Sequence, residues 1–120
     1  MFGWFKQKTQ YPQVVVAQIK ALRAHPQADK LQLVTVDSGG SDLEIVCGAW
    51  NIKVGDKVPL AQIGAKLANG LAIKEATIRG IKSGGMLCAA DELGLGDDHT
   101  GIIILNNNAK VGSSIDKYLN

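Results

Sequence analysis

Cysteine is scarce in this chain. Cys47 and Cys88 are its only two, each in an apolar setting (IVCGA and MLCAA), and no CxxC pair accompanies them. A disulfide framework and the cysteine-rich zinc modules are therefore excluded, and both residues read as buried thiols of a reducing, cytoplasmic compartment. Aromatic residues make up only 5% of the sequence, a share too small for a protein that reads single strands mainly by stacking. No apolar run reaches membrane-spanning length: the start, MFGWFKQKTQYPQ, turns polar at Lys6, too early for the apolar core of a signal peptide. Residues 1–13 are expected to form a flexible arm ahead of one domain over 14–120.

Catalytic signatures are missing as well. His25 and His99 are the only imidazoles, no GxSxG elbow occurs, and neither cysteine stands beside a basic residue that would lower its pKa. The glycine pairs at 39–40 and 84–85 do not fit GxxxxGK[ST] and open no long helix, which removes phosphate-loop nucleotide binding. GDDHTG sets His99 after Asp97 and Asp98 but lacks the alternating carboxylates and terminal glutamate of a calcium loop. No acid or cysteine stands at a ligand-like spacing from either histidine. The sequence is thus read as holding no active site, no metal and no cofactor.

What is abundant is glycine, with 14 residues in a chain that is 46% hydrophobic and 20% charged. Glycine without aromatics favours short strands joined by tight turns. VVVAQIKALRA, from Val14 to Ala24, opens on β-branched residues and then alternates, as a long first strand does. HPQAD breaks it, because Pro26 fixes its own φ and pushes His25 out of helical geometry. Residues 30–49 alternate around SGGSD and predict a hairpin, with Leu31 and Leu33 turned into the core. Gly55 and Asp56 mark a turn before a strand over 58–63; Asn69 and Gly70 mark another before LAIKEATIRG, a fifth strand with Ile73 and Ile78 inward. Gly84 and Gly85 then suggest a close backbone approach, ADEL one helical turn, GIIIL a strand, and Ser113 or Ser114 the cap of a short terminal helix. The pattern predicts an all-β domain, a five-stranded Greek-key barrel of OB type with short helical segments, closed so that no sheet edge is left bare, with an open sandwich as the competing architecture.

Charge is unevenly spread. The formal net charge is +2, yet residues 53–82 hold six lysines and arginines against Asp56 and Glu75, a net +4, while residues 83–109 hold Asp91, Glu92, Asp97 and Asp98 and no lysine or arginine, a net −4. A basic stretch folded into neighbouring strands makes a surface for phosphates whose affinity falls as salt rises.

Three stretches in order, HPQADKLQLVTVD, IVCGAWNIKVGDKVPLAQIGAKL and IKEATIRGIKSGGMLCAADELGLG, resemble the tRNA-binding domain family of OB folds. Within it they are most similar to the form carried near the N-terminus of bacterial phenylalanyl-tRNA synthetase beta subunits. His25, Pro26, Ala28, Asp29, Lys30 and Leu31 match one motif of that family; Cys47, Gly48, Ala49 and Asn51 match a second; Arg79, Gly80, Ser83, Gly85, Met86 and Leu87 match a third. The resemblance implies a barrel that binds tRNA through its outer surface, with tRNA and the remainder of a synthetase as partners and the ATP and phenylalanine chemistry in the other subunit. On that reading Lys57, Lys66, Lys74, Arg79 and Lys82 supply charge to the phosphate backbone, and Asn51 and Ser83 offer hydrogen bonds at its edge. HPQAD becomes architecture: Pro26 stops the strand, Asp29 caps the N–H groups of the turn, and His25 satisfies backbone groups. Two positions depart from the family, Trp50 standing where relatives have proline and Gly84 where they have glutamate.

A second reading belongs to a different class. The barrel is then a docking or self-association module without an RNA role, using Leu93, Leu95, Ile102, Ile103 and Ile104 as its contact.

Overall fold

A computed structural model of the chain describes residues 11–119. Met1 to Gln10, the larger part of the expected arm, lie outside the described residues. From Tyr11 onward the chain is tied down: Tyr11 packs against the core, and the Gln13 carbonyl accepts from the Gln62 N–H at 2.9 Å.

Seven strands follow: β1 (Val14–His25), β2 (Ala28–Asp37), β3 (Asp42–Cys47), β4 (Lys57–Gln62), β5 (Ala76–Ile78), β6 (Ile81–Ser83) and β7 (Gly85–Leu87). Two 3-10 turns stand at Asp91–Leu93 and Ile115–Tyr118. Five strands form one antiparallel sheet in the order β3-β2-β1-β4-β7, and β5 and β6 pair as a separate hairpin. Because β4 returns to lie beside β1 and not beside β3, the order is that of a Greek key.

β1 serves two neighbours. Val14–Gln18 pairs with β4 and Gln18–His25 with β2, and the register slips between Ile19 and Ala21. That slip is a bulge, which bends the strand as it passes from one partner to the other. It also breaks the alternation read from the sequence, leaving Ile19 buried and Ala21 exposed. The unbroken run of Val14 to Ala17 has a physical reason, since both faces of the sheet are covered there. Ala17 and Ile19 join Val34, Val36, Ile45, Val58 and Leu60 inside the barrel. Val14 and Val16 point the other way, into a second cluster with Ala65, Leu67, Ile73, Leu105 and Ile115. On β2 it is accordingly Val34 and Val36 that fill the barrel; Leu33 is buried but stands outside both clusters, and Leu31 is half-buried, so the expected inward pair is corrected by one residue.

The barrel closes without a continuous ladder. β3 and the β6–β7 junction, at the two edges of the sheet, are joined by the Gly84 N–H donating to the Glu44 carbonyl at 2.9 Å. The Val46 N–H donates to Ser83 Oγ at 3.0 Å, and that hydroxyl donates onward to the Gly85 carbonyl at 3.0 Å. Pro59 sits buried inside β4 without disturbing this scheme: its own carbonyl accepts from the Cys88 N–H, and the Cys88 carbonyl accepts from Ile103.

Two expected strands are replaced. LAIKEATIRG is not continuous: Ala65–Ile73 forms a tight loop closed by the Lys66–Ala72 bridge, and only Ala76–Ile78 is strand. GIIIL contributes two isolated bridges, Ile102 to Ala89 and Leu105 to Lys57, in place of a strand. At the C-terminal turn Ser114 is the cap, its side chain accepting from the Asp116 N–H.

Gly85 is required by space, because a Cβ there would lie 2.8 Å from the Ala61 carbonyl oxygen, at a φ of 157°. At Gly84 the nearest atom to such a Cβ is 3.6 Å away, an ordinary contact. Gly85→Ala should therefore lower stability by about 1–3 kcal/mol, and Gly84→Ala should stay within about 0.5 kcal/mol of the parent. Urea unfolding of the two variants checks the contrast.

Candidate nucleic-acid interface

The β5–β6 hairpin turns through Arg79 and Gly80, whose φ values of 51° and 87° are both left-handed, the geometry of a two-residue hairpin turn that follows the strand twist. Arginine in that region costs about 1–2 kcal/mol, so the hairpin must be held from outside. His25 does part of this. Its Nδ1 accepts from the Gln27 N–H at 3.0 Å, which leaves the proton on Nε2, and Nε2 donates to the Ile78 carbonyl at 3.0 Å. Ser83 fastens the other end to β3. HPQAD is thus architecture, as the sequence suggested, but the turn is capped by the His25 ring. The Asp29 side chain is exposed and makes no hydrogen bond among the described residues.

Four of the five cations singled out from the sequence ride on consecutive hairpins. Ala65 and Ile73 face inward, so Lys66 and Lys74 alternate to the outside of the first loop; Lys82 lies on β6 opposite Thr77, and Arg79 is the tip of the second. All four are exposed, and none has a carboxylate partner among the described residues. Elsewhere the surface uses its cations differently, pairing Lys20 with Asp42, Arg23 with Glu44 and Lys53 with Asp56 at 2.8–3.0 Å. Lys57 is not brought to the group. It opens β4, five residues and roughly 17 Å of strand from the end that leads into the hairpins, and its Nζ donates to the Asn107 carbonyl at 2.7 Å.

Asn51 and Ser83, expected to offer hydrogen bonds outward, are engaged inward. Ser83 is only 3% exposed, its single O–H is given to the Gly85 carbonyl, and one of its lone pairs accepts from the Val46 N–H. Asn51 grips the Ile102 backbone with both ends of its amide, Nδ2 to the carbonyl at 2.9 Å and Oδ1 from the N–H at 3.0 Å. It fastens the 99–103 segment as a strand would. Between these elements opens a cavity of about 580 Å³, mostly apolar, walled by Leu31, Ile78, Met86 and Ile102 with Lys74 and His99 among its lining.

The acidic segment contains an arrangement that spacing along the chain hid. Asp91 and His99 are eight positions apart, and the chain folds back so that His99 Nδ1 lies 2.8 Å from Asp91 Oδ1; Asp91, Glu92 and His99 bring ligand atoms within 4.8 Å of one another. The hydrogen bond to Asp91 and the charge of that carboxylate raise the His99 pKa above its ordinary value. The trio is a latch between the 3-10 turn and the loop that follows. Both thiols are buried and unpaired, and burial raises both, Cys88 to about 12, which leaves it protonated and unreactive. Of the apolar residues considered as a docking face, Leu93 and Ile102 are buried in the core, while Leu95 and Ile104 stand 42% and 43% exposed.

Ser83→Ala leaves the buried Val46 N–H without an acceptor, and Asn51→Ala frees the Ile102 backbone; each should lower stability by about 1–3 kcal/mol, read from thermal melts. The latch has a signed pH dependence. Its contribution is complete below pH 6.5 and is lost as pH rises through the higher folded value of His99. An NMR titration should find His99 above 6.5, and Asp91→Asn should bring it down towards that value.

The family described as "Putative tRNA binding domain" matches residues 14–114. Phenylalanine–tRNA ligase beta subunits are similar over most of this chain: that of Syntrophus aciditrophicus is 54% identical over 105 residues, 88% of the chain and 13% of the relative. That of Chlorobaculum tepidum is 46% identical over 96% of the chain and 15% of the relative. The chain thus spans about one seventh of the length of these relatives. Among solved structures, a MetRS-related protein from Pyrococcus horikoshii superposes with a TM-score of 0.61 at 22% identity, covering 87% of this chain and 88% of that one. The C-terminal domain of Plasmodium vivax p43 gives 0.59 at 23%, covering 82% and 56%. These two share the fold. The match to the family covers both ends of the barrel, the His25 turn and the Ser83–Gly85 clasp, and the chain belongs to the tRNA-binding domain family.

Proposed function

We propose that this domain binds tRNA as a non-catalytic accessory module of a phenylalanine–tRNA ligase beta subunit, with the 64–83 hairpins as its phosphate-contacting ridge. The observation that carries the reading is electrostatic. Lys66, Lys74, Arg79 and Lys82 stand exposed on two successive hairpins with no ion pair to a carboxylate among the described residues; Glu75 is the one acid within that stretch, and four more lie in the 91–98 segment. Cations that are not already paired have no internal interaction to break before meeting a phosphate, and each contact releases condensed counterions. A narrow ribbon with an arginine tip recognises backbone path and groove width, the way folded RNA is read when bases are not. Arg79 suits the tip, since its planar fork can engage two phosphate oxygens at once. Lys57 contributes charge from a separate region and is secondary.

The reading places the chain in the cytoplasm, where tRNA is aminoacylated, with tRNA and the rest of the synthetase as partners. Among the described residues no helix is long and apolar enough to cross a membrane.

Replacing Arg79 and Lys82 together with alanine should weaken tRNA binding and flatten the dependence of log affinity on log salt by about one unit for each phosphate no longer neutralised. Lys57→Ala should change both much less. Filter-binding titrations across a salt series check this, and parental affinity and slope in the double variant would remove the hairpin from the interface.

A further inference from the structure

Trp50 is left unused by that reading, and its setting is unusual. Tyr11 and Tyr118 are partly buried against the core, whereas Trp50 is 57% exposed, the one exposed tyrosine, phenylalanine or tryptophan ring among the described residues. A single exposed apolar side chain is ordinary on a protein surface. This one is also held in place. The indole Nε1–H donates to the Lys30 carbonyl at 3.2 Å. The backbone on either side is fixed as well, with the Ala49 carbonyl accepting from Gln32 Nε2 at 2.9 Å and Asn51 gripping Ile102 by both ends of its amide. A large flat ring that is wet and already ordered loses little side-chain freedom when something stacks on it.

Its surroundings indicate what stacks. The only acid between Gly48 and Lys57 is Asp56, and its carboxylate is held by Lys53. Lys30, whose carbonyl holds the indole, is itself exposed and has no carboxylate partner among the described residues. An aromatic plate fastened to the backbone of a residue that carries an unpaired ammonium fits a nucleotide, with base on ring and phosphate within reach of the flexible amine. Leu31 and Ala49, the sequence neighbours of Lys30 and Trp50, line the cavity, while Lys30 and Trp50 themselves do not.

We infer that Trp50 is a stacking platform for one unpaired base of the bound RNA, with Lys30 set to meet the adjoining phosphate. This rests on the tRNA-binding reading and adds to it a contact that is independent of the hairpin cations. Stacking and charge separate experimentally, because removing a ring lowers affinity equally at every salt concentration while removing a cation that meets a phosphate changes the slope.

The test uses the 120-residue chain carrying Trp4→Phe, so that Trp50 is the only indole, and unfractionated tRNA as the probe. Binding should quench the Trp50 emission, and a long, fully paired RNA duplex should quench it far less. Trp50→Ala should weaken tRNA binding roughly five-fold or more with the salt slope unchanged, and Trp50→Phe should retain most of the affinity. Parental affinity in Trp50→Ala, or equal quenching by tRNA and duplex, overturns the proposal while leaving the hairpin reading intact. Absence of tRNA binding by the parent chain defeats both.

Discussion

The hydroxyl of Ser83 occupies the place where a five-stranded sheet would otherwise leave two open edges. It accepts from Val46 on β3 and donates to Gly85 at the start of β7, and the adjacent Gly84 N–H reaches Glu44. An open sheet of this size would expose unpaired backbone groups along both edges and invite pairing with other chains. A ladder would close it too, but needs several residues in register on each side. Here closure takes one hydroxyl, one amide and the close approach at Gly85, where no side chain fits. The economy has a structural consequence: the residues preceding the clasp are freed from the barrel wall and can project as a hairpin.

That projection explains why the basic stretch is presented and not folded away. β5 and β6 pair only with each other, so their cations are not drawn into the sheet, where Lys20 and Arg23 on β1 meet Asp42 and Glu44 on β3. A free two-stranded ribbon is marginal in water, and a left-handed arginine at its tip makes it more so. The His25 ring compensates from the β1–β2 turn by taking the Ile78 carbonyl. The barrel and the cationic ridge are therefore mechanically one unit, joined at Ser83 and His25.

The sequence made the periodic elements legible and the contacts across them much less so. β1 to β4, the hairpin at 38–41 and the terminal cap all follow from alternation, turn residues and capping chemistry, which act within a few residues. The bulge near Lys20 escaped because its cause is the change of partner along β1. LAIKEATIRG read as one strand because its apolar residues have the right spacing, yet Ile73 is claimed by the outer cluster and Ile78 by His25. Asn51 and Ser83 were legible as polar residues at motif positions but not as fasteners, since Ile102 and Val46 lie 51 and 37 residues from them. Their residue types held the only signal: a small hydroxyl between two backbones, and an amide that can imitate a peptide group. The His99 latch was hidden for the same reason of distance.

Charge segregation along the chain then acquires a spatial meaning. Lys74, Glu92 and His99 all line the cavity, so the cationic hairpin and the acidic latch share one opening. When His99 is neutral, its side of the opening carries the full charge of Asp91 and Glu92; when it is protonated, one of those charges is offset. A phosphate backbone approaching this end of the barrel is attracted to the hairpin side and repelled from the latch side in either state, which biases its path along the ridge and away from the 91–98 segment. The acids need touch no ligand to matter. Opposed potentials at one opening restrict the orientations in which a polyanion can lie, and phosphate contacts act by setting register and orientation.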